Sequence, residues 1–272
     1  MKIDQAISVI FSPCGGTKHV LDAIAKEISL PRTEYDVTLP QNRKNPLRFS
    51  ANDLVFLGFP VYGGRAPRNA PAIFEQLSGD DTPTVVVAVY GNRDYDGALL
   101  DLHKLAVQRG FRPVAASAAV AEHSMTPAVA AGCPDKADEA ALAQFGQDVL
   151  NRLKMSAFPE TIEAPGTYPN LKVPPASAFL IEADPALCTE CGVCFKACPN
   201  EAISEKDLKH TNFEKCILCT ACIKYCPERA RGFPNPAVRQ MGAEHLKEAA
   251  VKRREAAFFF SVFSPVSDHI VT

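Results

Sequence analysis

Ala6-Ile-Ser-Val-Ile-Phe11 is a compact apolar run that passes directly into Ser12-Pro13-Cys14-Gly15-Gly16-Thr17, and then into Val20, Leu21, Ile24 and Ile28 at helical spacing. A short, nearly continuous apolar run entering a helix through a Gly-rich turn predicts a strand buried on both faces, followed by a covering helix. The alternation continues outward. Apolar runs recur at 34–39, 53–59, 84–90 and 111–120, and helical patterns at 69–77, 97–109 and 135–153. Five such runs separated by helices predict an α/β fold with a five-stranded, doubly wound parallel sheet. Residues 40–52 are short, polar and contain Pro and Asn, so that crossover helix is expected to be reduced or missing.

In an open sheet of this kind ligands bind beyond the carboxyl ends of the strands. Ser12, Cys14, Gly15, Gly16 and Thr17 lie at the first such end, where backbone N–H groups and a helix N-terminus make a phosphate cradle. Alone the loop is weak evidence, because any strand-to-helix turn favours Gly and a Thr cap. The third run ends in Gly58-Phe59-Pro60-Val61-Tyr62-Gly63-Gly64-Arg65, and the fourth in Tyr90-Gly91-Asn92-Arg93-Asp94-Tyr95. Glycines let backbone approach a flat ring, and tyrosine can stack on its face. Three such loops at successive strand ends point to one ligand site.

Eight of the ten cysteines fall in two copies of one pattern: Cys188-x2-Cys191-x2-Cys194-x3-Cys198-Pro199 and Cys216-x2-Cys219-x2-Cys222-x3-Cys226-Pro227. Three thiolates two residues apart wrap a short loop round a cuboidal four-iron cluster and leave its fourth iron to a more distant cysteine. Structural zinc closes with four ligands, usually as two separated pairs, which these runs of three do not match. Disulfides need an oxidising compartment. Residues 1–30 lack the pattern of a signal peptide, and no apolar stretch suggests a membrane span, so the cytoplasm of a cell with little free oxygen is expected. The formal net charge is −2 without a basic stripe, which argues against nucleic acid.

Phe-Ser-Pro-Cys-Gly-Gly-Thr-Lys (11–18), Gly-Phe-Pro-Val-Tyr-Gly-Gly-Arg (58–65) and Val-Tyr-Gly-Asn-Arg-Asp-Tyr (89–95) resemble the phosphate loop and the two isoalloxazine loops of flavodoxin-like FMN domains. With the cysteine runs, nearly the whole chain resembles the flavodoxin–ferredoxin fusion proteins of anaerobes. The resemblance implies FMN held by Ser12, Cys14, Gly15, Gly16 and Thr17 at its phosphate, by Pro60, Val61, Tyr62, Gly63 and Gly64 on one side of its ring, and by Tyr90, Gly91, Asn92 and Tyr95 on the other. It also implies two [4Fe-4S] clusters, one on Cys188, Cys191, Cys194 and Cys226, the other on Cys216, Cys219, Cys222 and Cys198. Cys14 departs from the family's threonine, and a thiol is a poor donor. Two roles follow from the resemblance: a carrier or one-/two-electron converter between ferredoxin-type partners and an acceptor enzyme, or a ferredoxin-dependent reductase of a small molecule. No separate nucleotide fingerprint for a nicotinamide cofactor is visible.

The expected domains are 1–153, a flavodoxin-like unit; 154–179, a Pro-rich linker; 180–233, a small α+β two-cluster unit; and 234–272, a C-terminal helix and apolar tail. The cluster unit repeats itself at an interval of 28 residues, and Ile217, Leu218 and Ile223 are expected to shield the clusters. Residues 236–255 read as one helix, leading into Ala257-Phe-Phe-Phe-Ser-Val-Phe263, expected to pack on the sheet or the cluster unit. His123 is expected to serve structure first and a flavin second, and Cys133 to be an ordinary thiol.

Overall fold

A computed structural model describes residues 2–155, 161–168 and 179–260 of the chain. In chain order the strands are β1 (Gln5–Ile10), β2 (Arg32–Asp36), β3 (Leu47–Phe49), β4 (Asp53–Pro60), β5 (Leu77–Gly79), β6 (Thr82–Tyr90), β7 (Phe111–Val120), β8 (Glu182–Ala183), β9 (Arg231–Gly232) and β10 (Ala257–Phe260). The helices are α1 (Gly16–Ala25), α2 (Ala70–Phe74), α3 (Ala98–Gln108), α4 (Lys136–Met155), α5 (Val193–Lys196), α6 (Ala221–Lys224), α7 (Pro236–His245) and α8 (Lys247–Val251).

The main sheet runs β10-β7-β6-β4-β1-β2. Its five parallel strands, numbered within the sheet alone, have the order 2-1-3-4-5, the flavodoxin-like doubly wound arrangement with its switch point beside the first strand. Strands β4 and β6 are buried along almost their whole length, which is why they read as unbroken apolar runs. One face packs Leu21, Ile24, Phe145 and Val149 of α1 and α4 against Ile10, Phe56 and Val87. The other packs Leu99 and Leu102 of α3 and Phe74 of α2 against Phe11, Leu57 and Phe59. The weak crossover is a 3-10 turn, Pro40–Arg43, followed by β3, which pairs with β5.

The sheet has six strands where sequence periodicity predicts five. The sixth, β10, comes from the tail and pairs antiparallel with β7, Ala257 opposite Ala118 and Phe260 opposite Ala115. Its side chains alternate as a strand requires: Phe258 and Phe260 meet Phe145 at centroid distances of 4.6 and 5.4 Å, while Phe259 joins the opposite face. Nearer the start of β7, Ile162 N–H donates to the Pro113 carbonyl at 3.0 Å. An edge that would otherwise template aggregation is thus covered in two pieces. The stretches 156–160 and 169–178 of the expected linker, and 261–272 of the tail, lie outside the described residues. The helix expected over 236–255 is two helices, α7 and α8, interrupted at Leu246.

Candidate functional site

The internal repeat of the cluster unit extends to its backbone. Glu190 and Leu218 occupy the left-handed region at φ 56° and 57°, and Glu201 and Arg229 do so at 50° and 51°. Gly192 and Thr220, also left-handed, each open a one-turn helix, α5 or α6, that carries a cysteine. Ala202 N–H donates to Cys198 Sγ and Ala230 N–H to Cys226 Sγ, both at 3.2 Å. The two repeats therefore share one loop conformation. Cys188, Cys191 and Cys194 of the first run line one space together with Cys226 of the second. Cys198 interacts electrostatically with Cys216, Cys219 and Cys222. The first of the crossed sets expected from the sequence thus lines one space.

The lining fits an iron–sulfur cluster, because four cysteines from the two repeats border one space. Burial pushes the Cys222 thiol up to about 12 and Cys219 well above the thiol range, and a bound metal is what deprotonates such thiols outright. Arg231, 4% exposed, lines the same space, and its positive charge opposes the effect of burial at Cys194, Cys216 and Cys222. Its guanidinium donates to the carbonyls of Leu208 (2.8 Å), Lys209 (3.2 Å) and Ile181 (3.4 Å) and to Thr211 Oγ1, while Nε has no partner. A buried guanidinium held only by neutral acceptors calls for nearby negative charge. A cluster held by four thiolates would supply it. Sequence reading missed Arg231, although the repeat signals it, because the equivalent position is Ile203.

At the carboxyl edge of the sheet the three predicted loops converge. Gly15 is left-handed at φ 87° with nothing near its missing Cβ, and α1 begins directly after it. Ser12 Oγ accepts from Lys18 N–H at 2.9 Å, and Thr38 Oγ1 accepts from Ser12 N–H at 2.8 Å, so the cradle is held in shape from within. Gly16 and buried Thr17 complete it, with Ala121 3.0 Å from where a Gly16 Cβ would stand. Beyond Pro60 and Val61, Tyr62 and Arg65 exchange backbone hydrogen bonds across Gly63 and Gly64 (φ 59° and 76°), a tight turn that demands positive φ twice. A Cβ on Gly64 would strike Asp96, whereas Gly63 is open. Gly97 N–H donates to the Gly64 carbonyl at 3.0 Å, which docks the second ring loop onto the third.

In the third loop Tyr90 and Tyr95 meet edge to face at 5.9 Å, and Gly91 makes room for the His123 ring. His123 Nδ1 accepts from the N–H groups of Met125 and Thr126 at 3.3 Å, a structural duty. Asn92 departs from expectation. Its amide is 2% exposed and donates to the carbonyls of Ala249 (2.6 Å) and Lys252 (2.8 Å), while its oxygen accepts from Arg254 N–H (2.7 Å). The side chain placed by sequence beside a flavin is instead a clasp for the tail. Cys133 is partly buried, with its thiol raised by burial.

The two units meet at this edge. Cys14 Sγ donates to the Cys219 carbonyl at 3.1 Å, and Lys224 Nζ donates to the Cys14 carbonyl at 2.8 Å. Thr220 Oγ1 lies 3.0 Å from the Ser124 carbonyl, Arg43 donates to the Pro199 carbonyl at 2.7 Å, and Arg68 donates to the Cys216 carbonyl. Burial raises the Tyr62 hydroxyl well above the tyrosine range, with Cys219 and Cys14 adding to it. Ile217, expected over a cluster, packs with Cys219 and Ala221 into the sheet's own core; Leu218 and Ile223 remain by the cysteines. Tyr168 of the linker lies under Arg65 at 4.5 Å and against Gly97, holding the ring loops from outside.

The 4Fe-4S dicluster domain family matches residues 187–231. Among solved structures, a flavodoxin from the domain Archaea is 12% identical, spanning 55% of this chain and 99% of its own, with a TM-score of 0.37. Flavodoxin 1 from Bacillus cereus is 17% identical over 55% and 99%, with a TM-score of 0.39. An NADH:FMN oxidoreductase in its apo form is 14% identical over 58% and 92%, with a TM-score of 0.38. No curated protein matches the chain. At such scores the strand order itself carries the fold assignment. Among the described residues no helix is long and apolar enough to cross a membrane. A doubly wound sheet of flavodoxin-like strand order and a segment that matches the 4Fe-4S dicluster domain family thus share one polypeptide.

Proposed function

We propose that the chain holds two [4Fe-4S] clusters and one FMN and passes electrons among them, as a carrier that converts between one- and two-electron chemistry. The contact that carries this reading is Cys14 Sγ to the Cys219 carbonyl, 3.1 Å. It sets the phosphate cradle directly against a cluster-binding loop. Cys188, Cys191, Cys194 and Cys226 would hold one cluster; Cys216, Cys219, Cys222 and Cys198 the other. Ser12, Gly15, Gly16 and Thr17 would bind the phosphate of FMN, with the loops at Pro60–Gly64 and at Tyr90, Gly91 and Tyr95 flanking its ring. Clusters exchange single electrons, whereas bound FMN takes one or two.

The surroundings favour a carrier over a reductase. The cluster unit, the tail clasped by Asn92, and Tyr168 of the linker approach the predicted flavin edge from three directions. Partners would be redox proteins, and clusters of this type suit a reducing compartment such as the cytoplasm. The test is cofactor content of anaerobically purified protein, followed by stopped-flow reduction with dithionite. One FMN with about eight irons per chain, and flavin reduction at a rate independent of protein concentration, are the expected results. Iron without flavin would reduce the protein to a cluster carrier with a docking domain.

A further inference from the structure

The two cysteine loops share one backbone and differ in what surrounds them, so position-by-position comparison is direct. In the first loop Thr189 and Glu190 are exposed, Gly192 fills the left-handed position, and Cys191 is exposed. In the second loop the equivalents are Ile217, Leu218, Thr220 and Cys219, and three of these are buried at 6%, 1% and 7% exposure for Ile217, Thr220 and Cys219. Ile217, Cys219 and Ala221 belong to the core of the sheet domain. Thr220 keeps a left-handed φ of 61°, which a β-branched residue rarely adopts, while its hydroxyl reaches Ser124. The polar-to-apolar exchange and the strained threonine are confined to the inward loop. Around the outward one, Leu187 is 52% exposed and Glu190 pairs with Lys209 at 2.8 Å.

We propose that electrons enter and leave the protein through the first cysteine ring, at the exposed rim formed by Thr189, Glu190 and Cys191, and that the second ring serves only as the inner relay to the flavodoxin-like domain. The inference rests on the two-cluster reading above. One electron from a low-potential one-electron carrier oxidises that carrier and reduces the outer centre. The outer centre passes it to the inner one, and two such transfers with protons from water complete a two-electron reduction of the flavin.

The test uses the full holoprotein, reduced with dithionite, and hexacyanoferrate(III) as a trianionic outer-sphere oxidant in stopped flow. Thr189→Lys is expected to raise the bimolecular rate about twofold at low salt and Thr189→Glu to lower it by about as much, both effects fading as salt screens them. Glu214→Lys, an exposed change at the start of the inward loop, is expected to leave the rate unaltered. A second readout needs no electron transfer: chelator-driven iron loss followed by alkylation and mass mapping should release Cys188, Cys191, Cys194 and Cys226 before the other four. About eight irons with a rate indifferent to Thr189 charge, or with the inner four thiols freed first, would overturn the route and leave the two-cluster reading standing. About four irons would remove that reading and the route with it.

Discussion

Arg231 stands where the internal repeat calls for the isoleucine found at 203, and it is a buried cation that acts on cysteines of both runs. Reduction adds negative charge to a cluster, so a fixed buried cation favours the reduced form. On the two-cluster reading, Arg231→Ile should lower both reduction potentials, by on the order of 2 kcal/mol per electron at an effective dielectric near 20. Arg231→Lys should keep most of the potential while losing some of the carbonyl contacts. An EPR-monitored redox titration reads this, and a merely structural role would leave the potentials of the folded fraction unmoved. Cys14 makes a smaller contribution at the same scale. Its thiol gives the Cys219 carbonyl a weak donor, so a cysteine at this position acts at the contact between domains.

At the scale of elements, the tail does more than end the chain. Phe258 stacks on Phe145 at 4.6 Å and 16°, and its partial burial makes Phe258→Ala cost about 2–3 kcal/mol, measured by chemical denaturation. Ending the chain before Ala257 should add aggregation to that loss, because β7 would then expose its backbone from Ala115 to Ala118. Asn92→Ala removes three hydrogen bonds from a buried amide and leaves two carbonyls and an N–H without it; about 2–4 kcal/mol is expected. The clasp also carries an acid dependence. Arg253 holds the Asp135 carboxyl well below the usual range. A depressed carboxylate stabilises above its unfolded pKa, and the contribution is lost as the pH falls from about 4. Hydrogen-exchange protection of 249–254, corrected for the intrinsic rate at each pH, should fall on acidification in the wild type and not in Arg253→Ala.

These elements also mark where the sequence was legible. Buried parallel strands and cluster loops announce themselves locally, through unbroken apolar runs and through ligands two residues apart. The β10–β7 pairing joins residues more than 130 positions apart, and a run of three phenylalanines names no partner. Asn92 looked like a ring-loop residue because its neighbours Gly91 and Tyr95 are of that kind; only the tail's approach shows where its amide is used. Ile217 adjoins Cys216 in sequence, yet the loop, left-handed at Leu218 and Thr220, turns it into the sheet domain.

For the whole molecule, the question is what a fixed arrangement of the two units contributes beyond tethering, since a linker alone already raises effective concentration to the millimolar range. Thr220 isolates the answer. Its left-handed conformation is unfavourable by about 1–2 kcal/mol for a residue bearing a Cβ, and its hydroxyl to Ser124 returns about 1 kcal/mol. Thr220→Gly, which installs the residue the first repeat already uses at 192, should therefore leave global stability nearly unchanged while releasing the cluster loop from residues 121–126. Hydrogen exchange should quicken in both segments, and flavin reduction by the inner cluster should slow while remaining independent of concentration. If stability is unchanged and the rate is unchanged too, tethering is enough, and the contacts at Cys14 and Thr220 serve only to bury apolar surface. A slower rate at constant stability would mean that the strain at Thr220 is maintained for electron transfer.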